Sequence, residues 1–438
     1  METWMNSRRF LIILLCLLSL ALVSCTSKNS GSSDAKIRVV NVIPDAAAIS
    51  LQLDNDAALV NALPFQGLTQ YLSTGRGNRE FKVSANGGTT FAIDTTLTIG
   101  GNSYSYIVYG PVASAQSVLL LESGITAPNS GSFNFRVTNV AAGIGAVDVY
   151  LTAAGADLNS TSPTLANVGV GATSSLVPVN TGSYELRVTA ASTKDVIYDT
   201  GVQAFTNNQA TYQAVIFTKG SSRLPNVALL NIDDAGTGQV IDNLLAEFKV
   251  LNASSVASPL NVLVDNNIVL SNIPFAGISN YVTTTAGSHT FAVQATATPG
   301  ANLLTLVATL ASATDTSLAF SGPAGALVPL VLNDNNLPSP AGRARVRFVN
   351  VSPGLGPLDV YVNFSKQVSG LAGNSGSSYI EVTADSTIGT LYEFDFNIAG
   401  TTSVALKLPS VSVIAGHTYS IYVVGLPAAP QGVVAKDD

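Results

Sequence analysis

The chain has 438 residues, of which 47% are hydrophobic and 11% charged, and it carries a formal net charge of −7. That length is enough for three or four domains of ordinary size. The acidic balance, with no cluster of Lys or Arg among aromatic residues, excludes a typical nucleic-acid-binding surface. Short apolar runs separated by Gly, Ser, Thr and Asn are typical of all-β modules rather than of disordered chains.

The first 25 residues have the organisation of an export signal. Arg8 and Arg9 form a positively charged start, and residues 10–22 form an apolar stretch of the length that signal peptides use. This stretch is too short for a membrane-spanning helix with a stop-transfer flank. It ends in Leu22-Val23-Ser24-Cys25, which is similar to the bacterial lipobox, a motif whose cysteine is lipidated.

From this pattern we predict a signal peptide at residues 1–24 and a lipidated Cys25 that begins a flexible tether at 25–36. The chain contains only Cys16 and Cys25, so cleavage before Cys25 leaves one thiol, which the lipid occupies. An intramolecular disulfide and a thiolate metal site are therefore excluded. The prediction places the protein at the bacterial outer membrane through this lipid, and either the surface or the periplasmic face is open. The alternative is a plain secretory signal, or an uncleaved anchor, with an incidental Cys25.

A short phrase recurs four times along the chain. It begins with Arg or Lys and ends with Asn three positions later, at Asn41, Asn139, Asn252 and Asn350. A spacing near one hundred residues is too long for a solenoid unit and suits a sandwich that folds around its own core. We expect each of these Asn side chains to bond a turn. The predicted modules, numbered 1 to 4, span residues 37–127, 133–235, 246–336 and 343–438.

The spacing contains a finer pattern. Asn41 and Asn252 are 211 positions apart, as are Asn139 and Asn350. Modules 1 and 3 share a Pro-Phe-x-Gly segment, and modules 2 and 4 share a Gly-x-Gly segment before an Asp-Val-Tyr strand. We infer that a pair of modules was duplicated, in the order A-B-A-B. The Pro-Phe residues are expected to plug the end of their own sandwich, at Pro64-Phe65 and Pro274-Phe275.

Apolar residues alternate with period two in the strand phrases. In the segment LDVYV at 358–362, the three apolar residues are predicted to face the core, and Asp359 and Tyr361 to face outward. Turn residues about every 8 to 12 positions, with no sustained helical period, predict antiparallel sandwiches. We therefore predict an all-β fold of four tandem immunoglobulin-like antiparallel β-sandwich domains. Residues 299–325 lack the tyrosine-led strand of the other modules, which leaves the late topology of module 3 open.

The order of these phrases resembles a known bacterial family. The phrase ending in Asn, the Asp-Val-Tyr strand, the Pro-Phe-x-Gly segment and a tyrosine-led strand with an acidic end look like the domain of unknown function 4397. The resemblance covers nearly all of residues 37–438, in four copies. It implies immunoglobulin-like modules of exported envelope proteins. It implies no activity, because none is established for the family.

Catalytic motifs are missing from the sequence. There is no Gly-x-Ser-x-Gly, no His-Glu-x-x-His and no Walker loop. Only His289 and His417 could act as bases near neutral pH, and both flank glycine turns. We predict that the protein is not an enzyme, has no catalytic residue and uses no cofactor.

Three runs of Asp and Asn place oxygen donors where loops are expected, at residues 54–56, 233–234 and 333–336. Ca²⁺ would accept such ligands, but none of the runs matches the 12-residue calcium loop. Asp and Asn are also the usual residues of turns, because they bond their own backbone. We expect turn chemistry and predict no metal site, although calcium binding by these runs stays open.

Two outward Asp-Tyr pairs are the candidate ligand-binding residues: Asp148 with Tyr150 in module 2, and Asp359 with Tyr361 in module 4. An aromatic ring can stack on a sugar ring while a neighbouring carboxylate bonds its hydroxyls. The alternative is that the rings pack across strands and the charges discourage edge-to-edge aggregation.

These observations favour a lipid-anchored envelope protein that acts as a multivalent adhesion or ligand-binding array, since repetition gives avidity. Its partner would be a polysaccharide or an envelope or host protein, and not a nucleic acid; the oligomeric state is open. The alternative is a passive spacer or scaffold for an envelope assembly.

Overall fold

The structure is a computed structural model that describes residues 34–233, 235–255 and 259–438. Along these residues the chain forms 34 β-strands and two 3₁₀ helices. None of the described helices has the length and apolar character needed to cross a membrane. The predicted signal peptide and Cys25 lie outside the described residues, so both stay predictions.

The strands of the first two modules follow one another in chain order. Module 1 contains β1 (Ala35–Val42), β2 (Ala48–Leu53), β3 (Ala58–Pro64), β4 (Leu72–Thr74), β5 (Gly77–Ala85), β6 (Phe91–Ile99), β7 (Ser103–Tyr109), the 3₁₀ helix Val112–Ser114 and β8 (Gln116–Leu121). Module 2 contains β9 (Ser132–Asn139), β10 (Val147–Thr152), the 3₁₀ helix Leu158–Ser160, β11 (Leu165–Val168), β12 (Val177–Asn180), β13 (Gly182–Ala190), β14 (Val196–Phe205), β15 (Thr211–Thr218), β16 (Pro225–Asn231) and β17 (Gly238–Ile241). Strand β17 extends module 2 beyond its predicted end at residue 235.

The last two modules repeat this order. Module 3 contains β18 (Leu245–Ala253), β19 (Leu260–Val264), β20 (Asn267–Ile273), β21 (Val282–Thr285), β22 (Gly287–Ala295), β23 (Asn302–Leu310), β24 (Asp315–Ser321) and β25 (Val328–Asp334). Module 4 contains β26 (Arg343–Asn350), β27 (Leu358–Val362), β28 (Ser365–Leu371), β29 (Ser375–Gly376), β30 (Ile380–Thr383), β31 (Thr390–Ile398), β32 (Val404–Val413), β33 (Thr418–Val424) and β34 (Gln431–Lys436). In module 3, β24 takes the place of the tyrosine-led strand, which resolves the late topology of that module.

Each module is a sandwich of two sheets, which confirms the predicted tandem β-sandwiches. We call the sheet that contains the first strand the seam sheet and the other the outer sheet. The seam sheets have the orders β4-β1-β7-β8, β12-β9-β15-β16-β17, β21-β18-β24-β25 and β29-β26-β33-β34, with β30 beside β26. The outer sheets have the orders β3-β2-β5-β6, β11-β10-β13-β14, β20-β19-β22-β23 and β28-β27-β31-β32.

The seam sheets are mixed rather than purely antiparallel. In every module the first strand has neighbours on both sides in the seam sheet and runs parallel to one of them, as β1 does to β7 and β26 to β33. Parallel neighbours need a long crossover. The intervening strands of both sheets supply that crossover, a long-range pairing that the hairpin-based prediction could not include.

The asparagine that ends each first strand joins the two sheets. The buried Asn41 donates from Nδ2 to the carbonyl oxygen of Leu63 in the outer sheet, at 3.0 Å, and its Oδ1 accepts from the backbone N–H of Ile43. The other modules repeat this pattern, with Asn139, Asn252 and Asn350. The prediction of a turn-bonding side chain is confirmed, and the same side chain also holds the sandwich closed.

Each module has its own apolar core, but the modules are not independent. Strands β15, β24 and β33 are buried along their whole length, because one face packs in the module and the other packs against a second module. An apolar cluster joins Val40 and Ile107 of module 1 to Val140 and Phe217 of module 2. A matching cluster joins modules 3 and 4. The chain therefore forms two pairs, 1–2 and 3–4, whose contacts between seam sheets we call seams.

The two Pro-Phe segments belong to these seams. The ring of Phe65 meets the ring of Phe217 in module 2 edge to face, with centroids 6.1 Å apart. Phe275 lies in the apolar cluster between modules 3 and 4. The prediction that each plugs its own sandwich is wrong, because the loop after β3 or β20 turns toward the partner module. Gly67 and Gly277 permit that turn, since a Cβ at either position would lie under 3.0 Å from a proline carbonyl oxygen.

Contacts also join module 2 to module 3. Asn243, between β17 and β18, is buried and donates from Nδ2 to the carbonyl oxygens of Ile197 and Pro225, at 2.8 and 2.9 Å. Arg223 of module 2 forms ion pairs with Asp195 of its own module and with Glu247 of module 3. The junction between the two pairs is therefore a bonded contact.

Candidate ligand-binding face of module 4

The exposed side of the outer sheet of module 4 carries one row of side chains that crosses all four strands. Tyr361 on β27 stands opposite Lys366 on β28 and Asp395 on β31, and Asp395 stands opposite Lys407 on β32. The alternation of β27 is as predicted, since its apolar residues lie in the core and Tyr361 points away from it. We call this row, together with Phe364, the module 4 outer face.

Phe364 projects from the edge of this face. It occupies the two-residue turn between β27 and β28 with Asn363, and both residues have left-handed backbones, with φ of 68° and 44°. Such a turn suits a tight hairpin, but a bulky aromatic residue rarely adopts a positive φ. The Phe364 side chain is nonetheless 77% exposed, with Lys407 Nζ 5.7 Å from the ring centroid. A strained and exposed aromatic residue is typical of a contact site.

The charges of the face are paired within it. Lys407 bonds Glu393 at 2.6 Å, and that bond, with Asp395 nearby, raises the Lys407 pKa above its ordinary value. Lys366 donates to Asp359 at 2.7 Å, which raises the Lys366 pKa in the same way. The Lys366 ammonium also lies 5.5 Å from the centre of the Tyr361 ring. Because each lysine is matched by a carboxylate, the face is suited to an uncharged polar ligand.

Two oxygen atoms of the face accept no hydrogen bond. They are Asp395 Oδ1 and Asn397 Oδ1, both buried, and Asp395 Oδ1 forms an ion pair with Lys407 Nζ at 3.6 Å. Burial, opposed by Lys407, raises the pKa of Asp395. Buried acceptors without donors are costly, but these two atoms lie beneath the surface of the row. A hydroxyl-rich ligand on the face would instead meet the rings beside the exposed Lys407 and the partly exposed Asp395.

Asp359 itself is not exposed, contrary to the prediction. It is 2% exposed, and it accepts hydrogen bonds from Lys366 and from the backbone N–H groups of Gly370 and Gly400. These bonds, led by that of Lys366, hold the pKa of Asp359 well below its ordinary value. The carboxylate fixes β28 and the loop after β31, so only Tyr361 of this pair is accessible.

The corresponding pair in module 2 is closed. Asp148 and Tyr150 are 7% and 1% exposed, so the prediction that they face solvent is wrong. The Asp148 carboxylate accepts from the backbone N–H groups of Asn167 and Ser192. Lys194 donates to the Tyr150 hydroxyl at 2.9 Å.

The cause of this closure is the longer connection between β10 and β11. It is held across the outer sheet by two cations: Lys194 donates to the carbonyl oxygen of Thr161 and Arg187 to that of Ala156, both at 2.8 Å. In module 4 the same connection is the two-residue turn at Phe364, so nothing covers the row. The ligand-binding role of the module 2 pair stays a prediction, and it would require this loop to move.

The other two modules carry different chemistry in the same register. The module 1 row has no aromatic residue: Ala58, Gln52, Lys82 and Asp94. The module 3 row has no charge: Ile268, Leu263, Ala292 and Thr305. Among the described residues, module 4 therefore presents the one open row that combines a ring with acceptors.

The Asp and Asn runs divide into two kinds. Asp54 has a left-handed backbone and accepts from the backbone N–H of Glu80, and Asp233 accepts from that of Gly236, so turn chemistry is confirmed for both. The prediction is wrong for the third run, because Asp334 and Asn336 are buried between modules. Over the described part of the chain, no three His, Cys, Asp or Glu side chains are grouped to hold a metal ion.

The two histidines have carboxylate partners. His289 is the third residue of β22 rather than part of a turn, and its ring nitrogens lie 2.7 Å from Asp265 Oδ2 and 2.7 Å from the Thr285 carbonyl oxygen. His417 Nδ1 lies 3.0 Å from Asp438. The Thr285 hydroxyl lies 3.5 Å from His289 Nε2. The contact of His289 with Asp265 ties β22 to the turn after β19, and that of His417 ties the turn before β33 to the segment after β34.

The residues that sequence reasoning missed are the buried ions of the seams. In pair 3–4, Lys249 of module 3 bonds Asp437 of module 4, and Arg347 of module 4 bonds Asp334 of module 3. Burial opposes the charge of Arg347, but Asp334 beside it raises the Arg347 pKa above its ordinary value. Each cation is the first residue of the repeated phrase, a signal that sequence alone does provide.

In pair 1–2 the corresponding ions are arranged differently. Arg38 pairs at 2.6 Å with Glu122 of its own module, and both side chains are fully buried. Arg38 also crosses the seam, where it donates to the carbonyl oxygens of Asn231 and Thr237 at 2.8 and 2.9 Å. In module 2 the position that corresponds to Glu122 is Ile232. The N–H of Glu122 donates to the carbonyl oxygen of Ser103 at the start of β7, and that of Ile232 donates to the carbonyl oxygen of Thr211 at the start of β15.

The comparisons with known proteins concern the fold and the family. Solved structures of family 41 carbohydrate-binding modules from streptococcal virulence factors, described by their α-glucan recognition, match with 12% identity over 42% of this chain and 94% of theirs, at a TM-score of 0.17. A streptococcal virulence factor described by its α-glucan binding matches with 12% identity over 47% and 97%, at 0.16. The Bacillus anthracis TIE protein matches with 10% identity over 87% and 69%, at 0.15. These TM-scores are too low for the matches to bear on the fold or the ligand of this chain.

No curated protein matches the sequence. The model of the family described as a domain of unknown function, DUF4397, matches residues 35–150 and 246–361. The two matched stretches are offset by the same distance as Asn41 and Asn252, which agrees with the duplicated pair. Together they cover more than half of the chain, and the protein belongs to the DUF4397 family.

Proposed function

We propose that this protein is a lipid-anchored component of the bacterial outer membrane that binds a hydroxyl-rich ligand, such as a polysaccharide, on the module 4 outer face. The observation that carries the proposal is the open row in which the half-buried Tyr361 and the exposed Phe364 stand beside the polar side chains of Asp395 and Lys407. Rings stack on the apolar faces of sugars, and acceptors bond their hydroxyls.

The ligand site is single rather than repeated in this proposal. The loop over Tyr150 closes the matching row of module 2, and modules 1 and 3 have no tyrosine there. Avidity would then come from several chains anchored in one membrane, each through Cys25, and not from four sites in one chain. The two pairs and their bonded junction would hold the face away from the membrane.

The test is binding of the full mature chain to immobilised neutral polysaccharides, with dextran and galactomannan as probes. We expect the double variant Tyr361→Ala/Phe364→Ala to lose at least about tenfold in affinity, which corresponds to about 1.4 kcal/mol from two stacked rings. Phe91→Ala is the matched control, since Phe91 is a 39% exposed ring beside a lysine on the outer sheet of module 1. Equal binding by the double variant and the control would remove the face as the site.

The anchor and its face are tested in cells. Protease added to intact cells should remove the chain if the lipid at Cys25 holds it on the surface, and lysed cells give the total. Cys25→Ala should release the chain from the membrane fraction. Protection in intact cells, with release in lysed cells, would favour a periplasmic location.

A passive spacer is the second candidate function, and the bonded contacts between modules favour it. Asn243 and the Arg223 ion pairs join the two pairs without a free linker. A spacer would bind none of the polysaccharides and would keep its length. Small-angle scattering of the full chain should then give a single maximum dimension. In Arg223→Ala the distribution of dimensions should become broader.

A further inference from the structure

The two seams are filled to different extents at corresponding positions. In module 1, Tyr109 stands opposite Val42 in the parallel strand pair; in module 3, Ser321 stands opposite Ala253 at the same register. On the other side, Tyr109 pairs with Gln116 and Ser321 with Val328. Ser321 is therefore the counterpart of Tyr109. Its side chain is smaller by about the volume of an aromatic ring, so it fills less of its seam.

In pair 1–2 the Tyr109 side chain fills the seam. It is 6% exposed and lies in the apolar cluster with residues of module 2. Its hydroxyl donates to Gln116 Oε1 at 2.9 Å and lies 3.5 Å from the place a Cβ would take on Gly171 of module 2. The ring thus bridges the two modules, with its polar end bonded and its body packed.

In pair 3–4 the same place is a cavity. It has a volume of about 240 Å³ and is lined from module 3 by Ser321 and Val328, and from module 4 by Val351 and Asn374. Asn374 is the counterpart of Gly171. Each has a left-handed backbone, and each lies just before the segment whose N–H groups bond the first strand of its module. A second cavity of about 270 Å³ adjoins it and shares Gly322, Pro323 and Pro353 with it.

The cavity is open to solvent on one side, since Val328 in its wall is 45% exposed. An apolar ring that entered it would remove this aliphatic surface from water, which favours binding. Here the walls are mostly aliphatic, Val328 stands where Gln116 does in the other seam, and the Asn374 amide donates to the carbonyl oxygen of Pro329 at 3.2 Å.

We infer that the seam between modules 3 and 4 is a binding site for one aromatic ring of the size of a tyrosine side chain. Pair 1–2 supplies the ring from its own chain, and pair 3–4 takes it from a ligand. This site is separate from the module 4 outer face, because its lining comes from the seam side of the sheets. The ring can belong to a small phenol or to a tyrosine of a partner polypeptide.

The test uses the full chain with p-cresol and, in a second arm, N-acetyl-tyrosine amide, observed through the methyl resonances of Val328 and Val351. We expect saturable shifts of these methyls with p-cresol. Binding of the capped tyrosine as well as p-cresol identifies a polypeptide side chain as the source, and binding of p-cresol alone identifies a small phenol. No saturable shift with either probe would overturn the inference.

Two variants exchange the seams. Ser321→Tyr should fill the cavity from within, raise the melting temperature and reduce the p-cresol shifts at least tenfold. Tyr109→Ser should open the corresponding cavity in pair 1–2 and create new p-cresol shifts at the methyls of Val40 and Val42. Unchanged p-cresol binding in Ser321→Tyr, or none gained in a folded Tyr109→Ser, would contradict the site. The second variant keeps the test decisive if the first does not fold.

Discussion

In the seam between modules 3 and 4, two ion pairs cross from one module to the other, whereas the ion pair of the seam between modules 1 and 2 lies within module 1. At corresponding positions the first seam has Ala253 and Ser321, where the second has the larger Val42 and Tyr109. The same arrangement of sheets is therefore held mainly by packing in one pair and by packing with buried charge in the other.

The difference matters because the two kinds of contact do different things. Apolar area stabilises a contact in proportion to its size and tolerates small shifts. Buried ion pairs add little net stability, since desolvation offsets the attraction, but removing one partner is costly. We expect the charged seam to be the more specific of the two in its register, and the packed seam to be the more tolerant of single charge changes.

The largest effect should come from Asp334→Ala. This change leaves the buried Arg347 of module 4 without its carboxylate and also removes the acceptor for the hydroxyl of Tyr281. Loss of one partner of a buried pair costs about 3–5 kcal/mol. Hydrogen exchange of the full chain should show faster opening of both β24 and β33, because the pair crosses the seam.

Glu122→Ala is the matched change in the other pair. It should accelerate exchange in module 1 but leave module 2 nearly unaffected, since Arg38 keeps its two bonds to the carbonyl oxygens of module 2. Asp56→Ala, whose surface ion pair is 76% exposed on the carboxylate side, is the control and should change nothing measurable. If Asp334→Ala loosens only module 3, the crossing pairs do not hold the seam.

Phe65→Ala should have the next largest effect and tests the packed seam. Truncating a core phenylalanine costs about 3–5 kcal/mol. Phe65 is half-buried, so its truncation should cost part of that, through the lost contact with Phe217 of module 2. We expect faster exchange on the seam faces of modules 1 and 2 with an intact outer sheet in module 1. Phe81→Ala, which removes a ring of the module 1 core beside Tyr106, should instead open both sheets of module 1. The same pattern in both variants would mean that Phe65 belongs to the core after all.

A smaller effect should depend on pH and appear in pair 3–4. Burial, with Glu247 nearby, raises the pKa of Asp315 to about 7 from an ordinary value of 3.8. The folded state then binds more protons than the unfolded state between these two values, so stability falls as pH rises from about 4 to 7. Asp315→Asn should remove this fall, measured as the opening free energy of β24 by hydrogen exchange at pH 5 and pH 8.

Other groups in the same pair titrate in the same direction. Burial lowers the pKa of His289, but the bonds to Asp265 and to the Thr285 carbonyl oxygen together raise it above its ordinary value, so its stabilisation is present below about 6.5 and is lost as pH rises through the folded pKa. Burial also raises the pKa of Asp437. Part of the slope that remains in Asp315→Asn should come from these two groups, and His289→Gln should reduce it further. An unchanged slope in Asp315→Asn would contradict the assignment.

The sequence predicted the modules well because each is set by local alternation. The pattern of LDVYV at 358–362 placed the core residues of β27 correctly, and the repeated Asn placed the end of the first strand. The seams were not predicted, although a signal was present. The segment SYSYIVY at 103–109 is nearly continuous in apolar and small residues, which is typical of a strand buried on both faces.

The candidate site was predicted in part. The direction of Tyr361 followed from alternation, but its exposure depends on what lies above the sheet, which alternation does not describe. The closure over Tyr150 arises from a longer connection and two cations that reach back across the strands, Lys194 and Arg187. Arg38 and Glu122 are 84 positions apart, and only the folded sheet brings them together.

The smallest effect should come from removing Lys249 and Asp437 together, and the comparison with the two single variants is the most informative about the charged seam. The two side chains are almost fully buried and bond each other across the seam. Lys249→Met alone leaves the buried carboxylate without its cation, and Asp437→Leu alone leaves the buried ammonium without its anion. Each should therefore cost about 3–5 kcal/mol.

The double variant Lys249→Met/Asp437→Leu removes both charges and fills the space with apolar atoms, and we expect it to cost less than about 1.5 kcal/mol, with a coupling energy of several kcal/mol in the cycle. Exchange of β24 and β33 in the four proteins measures it. Additive losses would mean that the two side chains stabilise their own modules separately. Strong coupling would mean that the two charges act as one pair. If the seam of the double variant also opens more readily than its slight loss of stability explains, the buried pair determines which module is the partner and in which register it packs.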